Sequence, residues 1–425
     1  MNGGGVAPHP RRIVMLNDIG FSFGAGGALR RQVQSLMLDG HDVSVVCGGA
    51  YDNGRVVEPP PFDPATLVPR GRTLRGRFLG VQAFPREATY DAASPRLASE
   101  RVIDAVAEQR PDLVIAGNIH AVGWSVSTFE RLADRGVRVA AYLHDMHLLT
   151  GRCAAAYSCT KYLDGCDDSC PSPDSYPRLA PARISSEWLL RRRVFCERGV
   201  PLVANSSWTH DTAVAAFAGR ACVDTVRLGL DERRFAPIDR SLCRSLLKLD
   251  DAPTVGFGAV DPAAPEKGAA VIQAVIDLLA PKGVRFVAFG FRSSMFRGAR
   301  ALGFIDDERV LPAVYSALDC YLTASAAESF GQTALEASAC GVPVVALRRG
   351  GLVDIARDGV NGRTFDAANP AQIADAVHEI VRDAALRDRF GAAGRAIAER
   401  EYSLSAQAAA WRGYIDGAAR GARAC

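Results

Sequence analysis

Two glutamates flank a short segment that could hold an anion. Glu328 opens the segment, Glu336 follows eight positions later, and between them lie Phe330, Gly331, Gln332 and Thr333. Gly331 suggests that a helix begins there, which would leave Glu328 in a loop and place Glu336 on the second helical turn. Free amides at a helix start favour a phosphate, and carboxylates on either side suit hydroxyl groups. A sugar nucleotide, a diphosphate with a sugar at one end and a ribose at the other, has this chemistry.

Glycines also follow the first predicted strand, in "GFSFGAGGALRR". Gly26 and Gly27 would let backbone amides approach an anion beside a helix N-terminus. The dinucleotide fingerprint is absent, because Leu29 and Asp261 occupy its third glycine position in the two halves of the chain. This argues against a nicotinamide oxidoreductase. A tight turn without a ligand is the alternative interpretation of such a loop.

A lysine and a histidine lie in similar positions after predicted strands. Lys267, in "DPAAPEKGAAV", could reach a phosphate as a mobile charge, although a solvated lysine in a proline-rich loop is the simpler interpretation. His144, in "AYLHD", follows a strand directly, and ligands bind beyond the carboxyl ends of such strands. We therefore favour a ligand contact for His144 over a structural role, and expect Asp145 to orient its surroundings.

Short β-branched runs alternate with helical patterns through most of the chain, and the pattern restarts once. This predicts two doubly wound α/β domains, each with a parallel sheet covered on both faces. We place the first domain at residues 1–226 and the second at 227–402. Residues 403–425 are expected to form a helix that crosses back to the first domain.

The composition narrows the possible classes of protein. The chain has 425 residues, 48% hydrophobic content and a formal net charge of +3, so whole-chain charge does not argue for a nucleic-acid partner. No apolar run reaches the roughly 18 residues of a membrane span, and the start lacks the core of a signal peptide. These features predict a cytoplasmic protein.

The segment around the two glutamates carries a family resemblance. "ESFGQTALEASACGVPVVALRRGG" resembles the E-x7-E region of the retaining glycosyltransferases of family 4, which have the GT-B fold. The likeness continues in "LGFIDDERVLPAVYSALDCYLTAS", "DIARDGVNGRTF", "LGLDERRFAPID" and "GGALRR". The family often has an arginine a few residues before its KG motif, and "GAVDPAAPEKG" has none. The second phosphate contact is therefore missing from this loop.

The resemblance implies two Rossmann-like domains facing across a cleft, and transfer of a glycosyl group to an acceptor hydroxyl with retention. The donor would be a UDP or GDP sugar and the acceptor a sugar or a lipid-linked molecule, in polysaccharide, glycolipid or glycoconjugate biosynthesis. By resemblance, Glu336 holds the ribose, Glu328 and His144 contact the donor sugar, and Lys267 neutralises the leaving diphosphate. The amides of 331–333 and the glycines at 26 and 27 bind the phosphates, so catalysis needs no metal.

Two other functions fit the same pattern. A sugar-nucleotide epimerase shares this fold but needs further carboxylates around the sugar. A non-catalytic sugar-nucleotide-binding protein would keep the fold, but it would not need Glu328, His144 and Lys267 together.

Four cysteines cluster in an expected insertion near residues 150–175: Cys153, Cys159, Cys166 and Cys170. Their spacing does not match a standard zinc ribbon. A structural zinc ion is one interpretation, with free thiols or disulfides as alternatives. A branch of the family among enzymes of exopolysaccharide assembly resembles this stretch.

Two stretches are rich in arginine, "PRGRTLRGRFLG" and "SSEWLLRRRVFCERG". Either could contact an anionic membrane surface, which would suit a lipid-linked acceptor and peripheral membrane association. A solvated face with a few buried anchors is the alternative.

Overall fold

The chain folds into two separate units of alternating strands and helices. The structure is a computed structural model that describes residues 10–21, 23–48, 50–52, 55–57, 67–68, 71–84, 100–172 and 176–419. The first unit is Met1–Gly229 with Leu404–Cys425, and the second is Leu230–Ser403. The boundaries expected from sequence, at 226/227 and 402/403, lie close to these.

The first unit is built on a seven-stranded parallel sheet in the order β5-β2-β1-β6-β7-β8-β9. All residues of its central strands β6 and β7 are buried, as expected for a parallel sheet covered on both faces. A separate antiparallel hairpin pairs β3 with β4. The strands of the unit are β1 (Arg12–Asn17), β2 (Asp42–Gly48), β3 (Ala50–Asp52), β4 (Arg55–Val57), β5 (Phe78–Phe84), β6 (Leu113–Ala116), β7 (Val139–Leu143), β8 (Leu202–Ala204) and β9 (Val223–Thr225). Its helices before residue 230 are α1 (Phe23–Leu38), α2 (Glu100–Glu108), α3 (Ser127–Asp134), α4 (Lys161–Asp164), α5 (Ile184–Arg192) and α6 (Ser207–Ala216), with short helical turns at Pro181–Arg183 and Arg193–Glu197.

The second unit contains a six-stranded parallel sheet in the order β12-β11-β10-β13-β14-β15. Its elements are α7 (Arg240–Leu246), β10 (Thr254–Gly258), α8 (Ala269–Leu279), β11 (Arg285–Phe289), β12 (Ala299–Ala301), α9 (Leu311–Ser316), β13 (Cys320–Thr323), α10 (Gln332–Ala339), β14 (Val344–Leu347), α11 (Leu352–Ile355), β15 (Gly362–Phe365), α12 (Pro370–Arg382) and α13 (Ala384–Glu401). Short helical turns lie at Pro265–Lys267, Ala280–Lys282 and Ser293–Met295. Start signals are visible at α12, where the side chain of Asn369 accepts the N–H groups of Ala371 and Gln372 and Pro370 takes the first helical position.

The last helix, α14 (Leu404–Ala419), belongs to the first unit. Trp411 on this helix is fully buried, and its indole packs against the rings of Tyr142 and Tyr414. Arg412 forms an ion pair with the buried carboxylate of Asp39, just after α1. The C-terminal helix therefore completes the core of the unit in which the chain begins.

A buried carboxylate ties two helices of the second unit to two of its strands. Asp319, only 1% exposed, lies directly before β13 and accepts the backbone N–H of Thr254 at 2.8 Å. Its oxygens also pair with Arg244 at 2.7 Å, with Arg387 at 3.1 Å and with Arg240. Helices α7 and α13 are thereby fixed to the start of the central strands β10 and β13.

Asp319→Ala should cost about 3–5 kcal/mol of stability, because it leaves three arginines around a buried site without their carboxylate. Urea unfolding of the full chain measures this loss. The matched control is Asp307→Ala, which removes a pair with the largely exposed Arg309 and should change stability by no more than about 0.5 kcal/mol. Equal stability of the two variants would contradict a structural role for Asp319.

Candidate active site

A lysine and a glutamate meet at the carboxyl edge of the sheet in the second unit. Lys267 ends the helical turn before α8, and Glu328 lies in the loop between β13 and α10. The Nζ atom of Lys267 is 2.7 Å from Oε2 of Glu328, and the two side chains are 27% and 23% exposed. A cation and a carboxylate are therefore held side by side where a ligand can reach both.

These two residues line a small cavity. Its other lining residues include Gly258 at the end of β10, Ala259 and Pro262 after it, Thr323 at the end of β13, and Thr333 in the first turn of α10. The cavity thus lies beyond the carboxyl ends of parallel strands, where α/β sheets bind their ligands.

Helix α10 begins where the sequence predicts. Gly331 is its N-cap, with φ of +104°, and a Cβ there would lie 2.7 Å from Leu352 Cδ2, so the position requires glycine. The helix start adds partial positive charge near the cavity, which Thr333 lines. The side chain of Phe330 is buried and faces the ring of Tyr402, so only its backbone could serve a ligand.

Glu336 lies on α10, as predicted, but the residue is buried, with 5% of its surface exposed. One oxygen, Oε2, accepts the hydroxyl hydrogen of Tyr315 at 2.8 Å. Burial, with the nearby Glu336 charge, raises the pKa of the Tyr315 phenol far above its usual value, which keeps this donor protonated. The hydrogen bond from the buried Tyr315 therefore fixes the position of the Glu336 carboxylate. The predicted contact of Glu336 with a ribose stays a prediction.

In the first unit, His144 directly follows β7. Its Nε2 lies 3.5 Å from the side-chain nitrogen of Gln32 on α1, and its ring packs edge-on against Tyr142 at 5.0 Å. Burial lowers the pKa of His144 to about 4, so the imidazole is neutral at physiological pH. A neutral imidazole can accept a hydrogen bond from a hydroxyl group or donate one to it. The predicted contact of His144 with the donor sugar stays a prediction.

The same sheet edge carries a polar network that the sequence reasoning missed. His120, after β6, lies 2.9 Å from Asp145 through Nε2 and 2.9 Å from the Tyr176 hydroxyl through Nδ1. Asp18, after β1, lies 3.9 Å from the same ring, and its burial raises the pKa of its carboxyl group. Asp145 also accepts the N–H of His147 at 2.7 Å. The signal was available, because Asp18 and His120 follow strands just as His144 does.

The two glycines predicted to approach a phosphate lie inside helix α1, which begins at Phe23. A Cβ on Gly26 would lie 2.4 Å from the backbone carbon of Phe21, so packing of the preceding loop already requires glycine there. The glycine pattern therefore has a structural cause at Gly26, and phosphate binding by Gly26 and Gly27 stays a prediction.

The four clustered cysteines are free thiols, each partly exposed. Burial raises the pKa of Cys153 to about 11, and the other three sulfurs are close enough to add to the effect. The backbone N–H of Gly151 bonds to Cys166. Within the residues that the structure describes, no group of three or more His, Cys, Asp or Glu side chains is arranged to hold a metal ion. The thiols are neighbours without being positioned as ligands, and structural zinc stays a prediction.

The arginines of the second basic stretch make internal contacts, and a membrane-facing surface there stays a prediction. Arg191 is buried and pairs with Glu187 at 2.9 Å, and Arg193 pairs with Glu130 at 2.5 Å. Arg192 lies 3.9 Å above the ring of Trp188 and donates to two backbone carbonyls.

The first basic stretch leads into β5, and Arg77 pairs with Asp42 at 2.6 Å. Its residues 69 and 70 lie outside the described part of the chain. Among the described helices, none combines the length and the apolar character needed to cross a bilayer.

Part of the chain is similar to known glycosyltransferases. A family model described as Glycosyl transferases group 1 matches residues 298–397. D-inositol 3-phosphate glycosyltransferase of Actinosynnema mirum is 35% identical over 218 residues, 46% of this chain and 52% of that protein. Its counterpart in Mycobacterium marinum is 35% identical over 211 residues, 44% of this chain and 43% of that protein. The chain thus spans about half the length of the curated relatives it matches.

Solved structures match nearly the whole chain. Anabaena Alr3699/HepE in complex with UDP and glucose superposes with a TM-score of 0.66 at 19% identity, covering 96% of this chain and all of that one. Sucrose-phosphate synthase from Thermosynechococcus elongatus gives a TM-score of 0.68 at 16% identity, covering 97% of this chain and all of that one. The fold is therefore GT-B, as the sequence predicts.

The lowered pKa of His144 predicts how stability depends on pH. A histidine whose folded pKa lies near 4 and whose unfolded pKa is about 6.5 stabilises the fold fully above pH 6.5, and this contribution is lost as the pH falls towards 4. Between pH 7 and 4.5, the melting temperature of His144→Gln should therefore fall by about 2–4 °C less than that of the wild type. The control is His210→Gln, a partly exposed histidine beside Asp211. Parallel melting curves for wild type and His144→Gln at all pH values would contradict the assignment.

The zinc prediction is tested by metal content. Protein purified without added chelator should carry about one zinc ion per chain if the four thiolates bind it in the usual tetrahedral set. Cys153→Ser and Cys166→Ser should then abolish zinc content, while Cys243→Ser, outside the cluster, should not. Wild-type protein without zinc, or zinc that survives both substitutions, would rule the site out.

Proposed function

We propose that the protein is a retaining glycosyltransferase of family 4 that moves a sugar from a nucleotide diphosphate sugar to an acceptor hydroxyl. The observation that carries this proposal is the contact of Lys267 with Glu328 beside the start of α10. A cation and helix amides suit a diphosphate, and a carboxylate suits sugar hydroxyls.

The residues of the second unit supply the chemistry in the following way. The bond between the anomeric carbon and the diphosphate oxygen breaks, the new bond forms from that carbon to the acceptor oxygen, and the proton of the acceptor hydroxyl passes to the departing diphosphate. Lys267 and the N-terminus of α10 stabilise the negative charge that grows on the departing diphosphate, where electrostatic stabilisation contributes most. Glu328 orients the donor sugar, and Glu336 holds the ribose.

We propose UDP as the donor nucleotide, because structures of Anabaena Alr3699/HepE contain UDP and UDP-glucose. The acceptor is a sugar or a lipid-linked molecule, in polysaccharide, glycolipid or glycoconjugate biosynthesis. The exopolysaccharide branch is the favoured setting, because its members resemble the cysteine-rich stretch. The enzyme is cytoplasmic and acts at the inner face of the membrane where the acceptor is lipid-linked.

Two substitutions separate binding from turnover. Glu336→Ala should weaken UDP binding about 10- to 100-fold, because it removes charged hydrogen bonds to the ribose. Glu328→Ala should keep UDP affinity within about threefold and lower turnover by about 100-fold or more, because it removes an interaction with the reacting sugar. Isothermal titration calorimetry gives the affinities, and UDP release from UDP sugars gives the turnover.

The control is Glu379→Ala, which removes an exposed pair with Arg363 and should change neither value. Melting temperatures without ligand show whether the loss of the Tyr315 contact unfolds the Glu336 variant. Full activity in both variants would refute the proposal, and UDP release that does not depend on an added acceptor would favour an epimerase or a hydrolase.

A further inference from the structure

Two phenylalanine rings stack at the sheet edge that also carries the cavity. Phe291 follows β11 and Phe304 follows β12, so both lie at the carboxyl edge of the same sheet. Their ring centroids are 4.2 Å apart and their planes differ by 2°. Phe291 is 46% exposed although it is large and apolar. At the ligand-binding edge of a sheet, such an exposed aromatic face offers a surface on which a flat ligand can stack.

Backbone contacts connect this ring pair to the cavity. Gly290, with φ of +113°, packs so closely that a Cβ there would lie 1.9 Å from the carbonyl oxygen of Ala259 and 2.7 Å from Pro262. Ala259 and Pro262 both line the cavity that contains Lys267 and Glu328. Phe291 thus directly follows Gly290, which packs against two residues of the cavity wall.

Hydrogen bonds hold the two rings in register. The N–H of Phe291 donates to the carbonyl of Val260 at 2.7 Å, and the N–H of Gly290 donates to the carbonyl of Gly303 at 2.8 Å. These bonds join the segment after β11 to the segments after β10 and β12. The stacked arrangement is therefore fixed by the backbone, which reduces the entropy lost when a flat ligand stacks on it.

The predicted ribose contact is linked through side chains to the strand that precedes Phe291. Glu336 is bonded to Tyr315, whose ring packs edge-on against Phe289 at 5.7 Å. Phe289 is the last residue of β11 and comes two residues before Phe291. A nucleotide whose diphosphate lies at Lys267 and whose ribose lies towards Glu336 would extend its base towards the stacked rings.

We propose that Phe291, backed by Phe304, is the platform on which the base of the donor nucleotide stacks. This proposal rests on the proposed function, because it assumes that a nucleotide binds at Lys267. Every base has a π face, so stacking supplies affinity without choosing among bases. The platform therefore accounts for affinity towards the nucleotide part of the donor and leaves the choice of base to other contacts.

The test compares a ligand that has a base with one that lacks it. Phe291→Ala should bind UDP about tenfold more weakly than the wild type, because one stacked base is lost. Its affinity for inorganic pyrophosphate, which has no base, should not change. Met295→Ala is the matched control, because Met295 is a 62% exposed apolar residue four positions further along the same segment, and it should bind UDP like the wild type.

A spectroscopic measurement checks contact directly. In Phe291→Trp, UDP should quench the fluorescence of the new indole relative to wild-type protein, and UDP affinity should be kept, because tryptophan stacks as well as phenylalanine. A merely structural role of Phe291 would produce no such quenching.

The outcomes separate the two proposals. Wild-type protein that binds none of UDP, GDP and ADP would overturn the proposed function and the platform together. Wild-type binding that Phe291→Ala does not weaken would overturn the platform alone. Equal losses for UDP and pyrophosphate would also overturn it, since they would show a general disturbance of the loop.

Discussion

The candidate site depends on close backbone contacts that allow no side chain. The carbonyl oxygen of Glu328 accepts the N–H of Gly351 at 2.8 Å, and a Cβ on Gly350 would lie 1.7 Å from that oxygen. On the other side, a Cβ on Gly268, directly after Lys267, would lie 2.1 Å from the carbonyl oxygen of Ala324. Gly350 and Gly268 also have positive φ, which other residues adopt only at a cost. The lysine and the glutamate can meet because these loops touch through their backbones.

The main features of the fold were predictable from the sequence because strand and helix periodicity are local. Central strands such as β6 and β7 are continuous apolar runs, and α12 has both its cap and its proline. Strands β5, β9, β12 and β15 give a weaker sequence signal. Three of them have only three or four residues, and all four are partly exposed, so neither length nor hydrophobicity distinguishes them from loops. Their pairing is fixed by neighbours far away in the sequence.

Charged residues show where sequence reasoning fails. The run Arg191–Arg193 looks like a basic surface, yet Arg191 is buried with Glu187 four residues earlier. That spacing was visible in the sequence and is typical of a helical ion pair. In contrast, nothing local to Asp319 indicates that it gathers arginines from α7 and α13, 68 or more residues away. Local pairs can be predicted from spacing, whereas long-range pairs depend on the tertiary fold.

The candidate site shows the same division between what is local and what is not. Glu328, Gly331 and Glu336 belong to one motif, so their order and the start of α10 were predictable. The contact of Glu328 with Lys267, 61 residues away, follows only once β10 and β13 are neighbours in the sheet. The stack of Phe291 on Phe304 likewise requires β11 and β12 to be adjacent and to end at one level. Residues that follow successive parallel strands meet at one edge, so strand order, rather than any motif, decides which of them can share a ligand.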